Sequence, residues 1–230
     1  MQKIEICTYS DVLCVWAYVA ERRLEELAEN FGDRISINAR FCSVFPDAWG
    51  KIEKNWRARG GLEGFNRHLR DVAQQYPHIT MHDDVWLTAR PRTSFSPHVF
   101  LKAIALVERD TQEAEPLPYL ERLSTRAARE TRLAFFAEAK DISDWHVHKD
   151  IATGLGIDYD QVDKTIKSSE AVAAVAADYD IAQKHGIQGS PTVLMNEGRQ
   201  KLFGNVGYRL LEANVQELLR RKPENEASWC

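Results

Sequence analysis

Tyr9-Ser10-Asp11-Val12-Leu13-Cys14-Val15-Trp16-Ala17-Tyr18 decides how this chain folds, because it joins a strand pattern to a helix pattern with a cysteine at the junction. Upstream, Lys3 to Ser10 sets Ile4, Ile6 and Thr8 against Glu5 and Cys7, the period of two expected of a half-buried strand. Downstream, apolar residues recur at helical spacing from Val15 to Phe31 through Val19, Leu24, Leu27 and Ala28, and Asn30 to Asp33 closes the helix. Arg34 to Val44 then alternates again through Ile35, Ile37, Ala39 and Phe41. The opening therefore reads strand, helix, strand, and a right-handed crossover makes the two strands parallel.

Beyond Pro46 the pattern changes. From about Lys51 to His185 there is almost no strand signal. Gly60-Gly61 and the stretch from His78 to Pro91 read as loops. Helices are predicted over Ser96 to Arg109 with Pro97 in the first turn, after Pro116 and Pro118, from a Ser143-Asp144 cap to about Thr153, and from Asp160. The Ala-rich run from Ser168 to His185 predicts a long helix closed by Gly186. Thr192 to Met195 and Lys201 to Phe203 then read as short strands around an Asn196-Glu197-Gly198 turn, and Tyr208 to Arg221 as an amphipathic helix. The expected architecture is α/β. Residues 1–50 and 186–221 form one discontinuous domain around a mixed sheet, 51–185 an all-helical insertion, and 222–230 a flexible polar tail.

Composition narrows the function classes. With 230 residues and 44% hydrophobic content the chain can bury a real core. Its 30 basic and 34 acidic residues are dispersed and give a net charge of -4, which offers nucleic acid or an anionic membrane no electrostatic handle. No apolar run approaches the ~18 residues of a membrane span, and Met1-Gln2-Lys3 leads straight into Ile4-Glu5-Ile6 without a signal-peptide core. A cytoplasmic location is expected. The cysteines at 7, 14, 42 and 230 have neither the density of a disulfide framework nor metal-ligand spacing. The pairs His78/His82 and His146/His148 lack a third ligand, so no metal is expected.

A second segment, Gly186-Ile187-Gln188-Gly189-Ser190-Pro191-Thr192, follows the helical stretch from Asp158 to His185. Together with the first it resembles DsbA-like thioredoxin-fold proteins over nearly the whole chain. The first segment is similar to that family's D-x-x-C-P-W-C-Y pattern with two replacements, Val15 for proline and Ala17 for the second cysteine. The long insertion resembles the branch containing FrnE-like oxidoreductases, 2-hydroxychromene-2-carboxylate isomerases and kappa-class glutathione transferases. Kappa and isomerase members generally carry serine at the position of Cys14 and use bound glutathione. The resemblance implies a thioredoxin fold with a cis peptide before Pro191. It also implies glutathione or another small thiol or disulfide as partner, and a small-molecule or protein-thiol substrate. It leaves the oligomeric state open, a homodimer included.

The chemistry follows from Cys14. In a C-x-x-C pair the first thiolate attacks a disulfide and the second resolves the mixed disulfide. Here Ala17 removes the resolver, so a mixed disulfide at Cys14 needs another thiol for release. At a helix N-terminus the unpaired amides favour a thiolate. A shift from about 8.5 to about 6.5 raises the thiolate fraction at neutral pH from a few per cent to roughly three quarters. The competing reading is a buried, inert cysteine, which suits Cys7 better because it lies within a strand.

Ser190, Pro191 and Thr192 are candidate glutathione-binding residues, since backbone before a cis proline can pair with an extended peptide. An ordinary trans proline opening an edge strand is the alternative. Trp16 and Tyr18 either wall a substrate groove or pack, with Val15 and Ala17 completing the motif. Cys42, at the end of the parallel second strand, is a candidate remote resolving thiol if the two alpha carbons lie within ~7 Å, and otherwise an ordinary strand thiol. Asn205, in Phe203-Gly204-Asn205-Val206-Gly207-Tyr208-Arg209, stands where glutathione-using relatives carry an anion-binding turn, though no aspartate is present for a free amino group. Arg90-Pro91-Arg92 either lines a cleft for an acidic substrate or sits in a helix-entry loop.

The leading expectation is a thiol-disulfide oxidoreductase that works through Cys14 alone, with glutathione mixed disulfides. The alternatives are a glutathione-dependent isomerase or transferase and a non-catalytic binding module on the same scaffold.

Overall fold

The computed structural model describes residues 3–111 and 117–220; Cys230 and the tail 222–230 lie outside them. The elements are β1 (Ile4–Ser10), α1 (Val15–Phe31), β2 (Ile35–Phe41), α2 (Ala48–Trp56), α3 (Gly61–Ala73), α4 (Val85–Thr88) and α5 (Phe95–Thr111). After residues 112–116 come α6 (Leu123–Phe136), α7 (Trp145–Gly154), α8 (Tyr159–Lys167), α9 (Glu170–Lys184), β3 (Thr192–Met195), β4 (Gln200–Phe203) and α10 (Tyr208–Leu219).

The four strands lie in the order β2-β1-β3-β4. β1 and β2 run parallel in the register Ile4↔Ile35 to Ser10↔Phe41, the crossover geometry expected of strand, helix, strand. β3 returns antiparallel beside β1, with Thr8 opposite Val193, and β4 folds back on β3 as a hairpin. The ends of the chain thus meet in one mixed sheet, and the fold is a thioredoxin-like α/β fold with a large helical insertion.

Alternation along the strands divides the core. Ile6, Ile35, Ile37, Val193 and Met195 face α1 and α10, where Leu27, Phe31, Leu211 and Val215 complete one apolar layer. Tyr9, Cys42 and Leu194 face the other way and pack with Ala182 of α9. A third and larger cluster fills the helical half and continues into the first turns of α1 through Leu13, Cys14, Val15 and Tyr18. The motif is therefore buried where the helical half meets the sheet.

Three local expectations need correction. The stretch from His78 to Pro91 contains the one-turn helix α4, pinned because the buried Asn66 amide accepts from Trp86 N and donates to Asp83 O. The helix predicted from Ser168 begins at Glu170, because Ser169 adopts φ 69 and separates α8 from α9. β2 stops at Phe41 rather than Val44, because Val44 N and Phe45 N donate to a side chain, Asp11, instead of to a strand. Gly186, at φ 60 just past α9, has the left-handed conformation that ends helices.

Candidate active site

Asp11 builds the site. It is fully buried, and its carboxylate accepts from Leu13 N through Oδ1 and from Val44 N, Phe45 N and the Ser94 hydroxyl through Oδ2, all at 2.7 to 2.9 Å. Four donors offset the desolvation of the charge. They also tie the β1–α1 connection to the β2–α2 connection and to the start of α5. His98, fully buried on α5, receives the Val12 N–H at Nε2 (3.3 Å), which leaves Nδ1 to donate to Tyr179 of α9 (2.8 Å). Burial holds its pKa down at about 4, so the ring is a neutral strut.

On this frame Cys14 is the N-cap residue of α1, with φ -85 and ψ 114. Its Sγ donates to the carbonyl of Ser190 at 3.2 Å. The Ser190–Pro191 peptide is cis, and Ser190 Oγ accepts from Asp11 N at 2.9 Å, so the two segments singled out in the sequence are joined twice. Thr192 Oγ1 donates to Gly189 O, and Gly204 N donates to Pro191 O, fixing the proline loop on the hairpin. Gly189 faces the Phe203 ring, which would lie 2.9 Å from an added Cβ.

The thiol's acidity runs opposite to the expectation from helix position. Cys14 is only 8% exposed, and burial pushes its pKa up from the ordinary value. The Ser190 side chain and the amides of Ala17 and Trp16 pull the other way, while the Asp11 charge adds to the rise. Desolvation by the helical half wins because a thiolate there exchanges bulk water for a few dipoles. The resting group is a protonated thiol.

The neighbouring motif residues divide by side. Val15 and Ala17 are buried. Tyr18 packs, stacked on Phe136 at 4.9 Å with its hydroxyl donating to Thr80 O. Trp16 is half-buried and meets Tyr76 edge-on, with centroids 6.1 Å apart. The Asn205 amide accepts from Arg23 and donates to the Tyr76 hydroxyl, tying α1, the turn after β4 and the helical half together. Cys42 is buried among Tyr9, Ala182 and Leu194, with its pKa raised chiefly by burial, and no disulfide joins it to Cys14. Arg92 stacks over Trp49 at 4.2 Å, and the Arg90 carbonyl accepts from the Trp49 indole.

Sequence reasoning quoted Asp11 but missed its role, and gave none of Ser94, His98 and Tyr179 a part in holding it. The Asp-x-Leu-Cys spacing was the available signal, since an aspartate can bond the backbone two residues on. Among the described residues no group of three or more His, Cys, Asp or Glu is placed to hold a metal, and no helix is long and apolar enough to cross a membrane. His78 Nε2 instead meets Val19 O, and His148 Nε2 meets Ile142 O.

Comparison with known proteins bears on the family and the fold. The model of the DSBA-like thioredoxin domain matches residues 5–216. The chain belongs to that family. Among solved structures, a probable DsbA oxidoreductase from Streptomyces coelicolor superposes on the DSBA-like chain with a TM-score of 0.70 at 17% identity, covering 98% of this chain and 94% of its own. The cytosolic disulfide reductase DsbM from Pseudomonas aeruginosa gives 0.67 at 17% identity over 93% and 99%, and has also been solved with GSH. A 2-hydroxychromene-2-carboxylate isomerase gives 0.65 at 16% identity over 93% and 95%. At these identities the likeness is one of fold.

Proposed function

We propose that this DSBA-like protein is a thiol-disulfide oxidoreductase acting through Cys14 alone, with glutathione as the exchanging thiol. The observation that carries the reading is the Cys14 Sγ to Ser190 O contact of 3.2 Å at the start of α1, with Ala17 where a second thiol would stand. A substrate that pairs with the Ser190 backbone takes over the carbonyl and frees the thiol proton to solvent. The amides of Trp16 and Ala17 then face the thiolate. Cys14 attacks one sulfur of oxidised glutathione. One S–S bond breaks as another forms, and one glutathione thiolate leaves. An external thiol attacks the glutathione sulfur of the mixed disulfide and restores the Cys14 thiol. Electrons balance across the two exchanges. The reading includes a cytoplasmic setting, where glutathione is abundant, and small disulfides or protein thiols as substrates.

One observation favours a second reading. A buried, protonated thiol can donate a hydrogen bond to a bound glutathione sulfur instead of attacking it, as a glutathione-dependent isomerase or transferase requires.

Mass spectrometry of the reduced protein exposed to oxidised glutathione, with Cys14→Ser as control, separates the two. Adduct at Cys14 that free glutathione reverses is the expected result. No adduct at Cys14, or an adduct elsewhere only, overturns the redox reading. Turnover of an electrophile only in the presence of glutathione would then favour the second.

A further inference from the structure

A pocket of about 350 Å³ lies between α2, α3 and α4. Its floor is apolar, with Ile52 and Trp86 buried and Leu62 half-buried, and its mouth carries the exposed Trp49, Arg57 and Arg90. The left-handed pair Gly60-Gly61, at φ 92 and 62, turns the chain from α2 into α3, so that these two helices form facing walls. None of Cys14, Ser190 and Pro191 lines this pocket.

Trp49 is 43% exposed and yet held in place. Its indole N–H donates to Arg90 O at 3.1 Å, and the Arg92 guanidinium lies over its ring at 4.2 Å. Ala48 N donates to Arg92 O, and Pro91 is buried, so the Arg90-Pro91-Arg92 loop is fixed on the first turn of α2. A large apolar side chain that is both exposed and already ordered loses little further entropy when something covers it.

The charge around the pocket opposes that of the chain. Residues 48–63 and 85–92 carry six Lys or Arg against two Glu, in a protein of net charge -4. Lys51 donates to Val44 O, and Arg57 pairs with Glu53. Arg90 Nε donates to Leu87 O and Arg92 stacks on Trp49, but neither meets an acid among the described residues. Free cations thus stand at the mouth of an apolar hollow. The matching ligand puts an uncharged side chain into the hollow and keeps its negative charges at the surface, which is the arrangement of an acidic polypeptide with one large apolar residue. Tryptophan and arginine are the residue types that anchor such contacts.

We propose that this pocket docks an acidic segment of a partner protein, with a leucine- or phenylalanine-sized side chain seated over Ile52 and Trp86 and carboxylates on Arg90 and Arg92. The docking is independent of the chemistry at Cys14.

Fluorescence anisotropy tests the proposal, with the full chain titrated into a labelled peptide of four glutamates on either side of one phenylalanine. Saturable binding is expected. It should weaken at least tenfold when glutamine replaces the glutamates, and at least tenfold when alanine replaces the phenylalanine. Trp49→Ala should also lose at least tenfold. Because that change releases the Arg90-Pro91-Arg92 loop and can loosen α2, Arg90→Glu is the second variant: it reverses an exposed charge, leaves the floor intact, and should lose at least fivefold at an unchanged melting temperature. No saturable binding, equal affinity for either control peptide, undiminished binding to Arg90→Glu, or binding to phosphatidylglycerol vesicles in place of the peptide overturns the proposal.

Discussion

Two acids flank the first turns of α1, and the chain treats them differently. Asp11, before the helix, is fully buried and receives four hydrogen bonds. Glu21, on the helix, has one guanidinium partner, and burial raises its pKa. The first is a finished joint. The second borders a cleft between α1 and α6. Position in front of Cys14 is fixed by a satisfied charge, while the wall behind α1 is held by the Glu21–Arg132 and Glu25–Arg129 ion pairs across that cleft, so rigidity and adaptability sit on opposite sides of one helix.

Replacing Asp11 should break this contrast most severely. Asp11→Ala takes the carboxylate from three backbone N–H groups and a hydroxyl, of which only Val44 N and Ser94 Oγ keep a second acceptor, in Cys42 O and Phe45 O, and is expected to cost about 4 kcal/mol in urea unfolding. A loss within that of an ordinary surface substitution would mean that the joint is not what holds the site.

Acid should attack the same joint through His98. Its folded pKa is about 4 against 6.5 for the ordinary ring. Between those values the unfolded chain binds more protons, so stability is lost as pH falls from 6.5 toward 4, by about 3 kcal/mol over the window. His148, also held at about 4 by burial, adds to the loss in the same direction. Unfolding midpoints at pH 7 and pH 4.5 should therefore drop steeply in the native protein and less steeply in His98→Asn; equal slopes would rule out a neutral His98 strut.

Cys14 sharpens the comparison from the front. With its pKa raised, the rate of alkylation by iodoacetamide should climb about tenfold per pH unit through pH 8.5, a hundredfold over two units. A plateau below pH 7 would instead reveal an activated thiolate. Smallest is the effect expected of Glu21→Gln, about 1 kcal/mol, because the amide keeps an acceptor for Arg132. A loss matching that of Asp11→Ala would erase the difference between the two acids.

Much of the frame was legible in the sequence. Alternation through Ile4, Ile6 and Thr8 and through Ile35, Ile37 and Ala39 gave parallel strands, and Asn196-Glu197-Gly198 marked the hairpin, because these signals are local. α4 escaped because four residues carry too little periodicity, and Ser169 because a left-handed serine has no composition signal. The meeting of the two segments was legible at Cys14 and Ser190. The acidity of Cys14 was not, because the desolvation that raises it comes from helices far along the chain. Ser94, His98 and Tyr179 act through partners more than eighty residues distant.

Ala17 finally sets a clock. In the proposed chemistry, a resolving thiol on the same helix would release an adduct by a first-order step, at a rate indifferent to its surroundings. With alanine there, release is bimolecular, and the lifetime of the modified protein varies inversely with the concentration of free thiol outside it. The fraction carrying an adduct at steady state then records the balance of disulfide and thiol in the medium, which a self-resolving enzyme would erase.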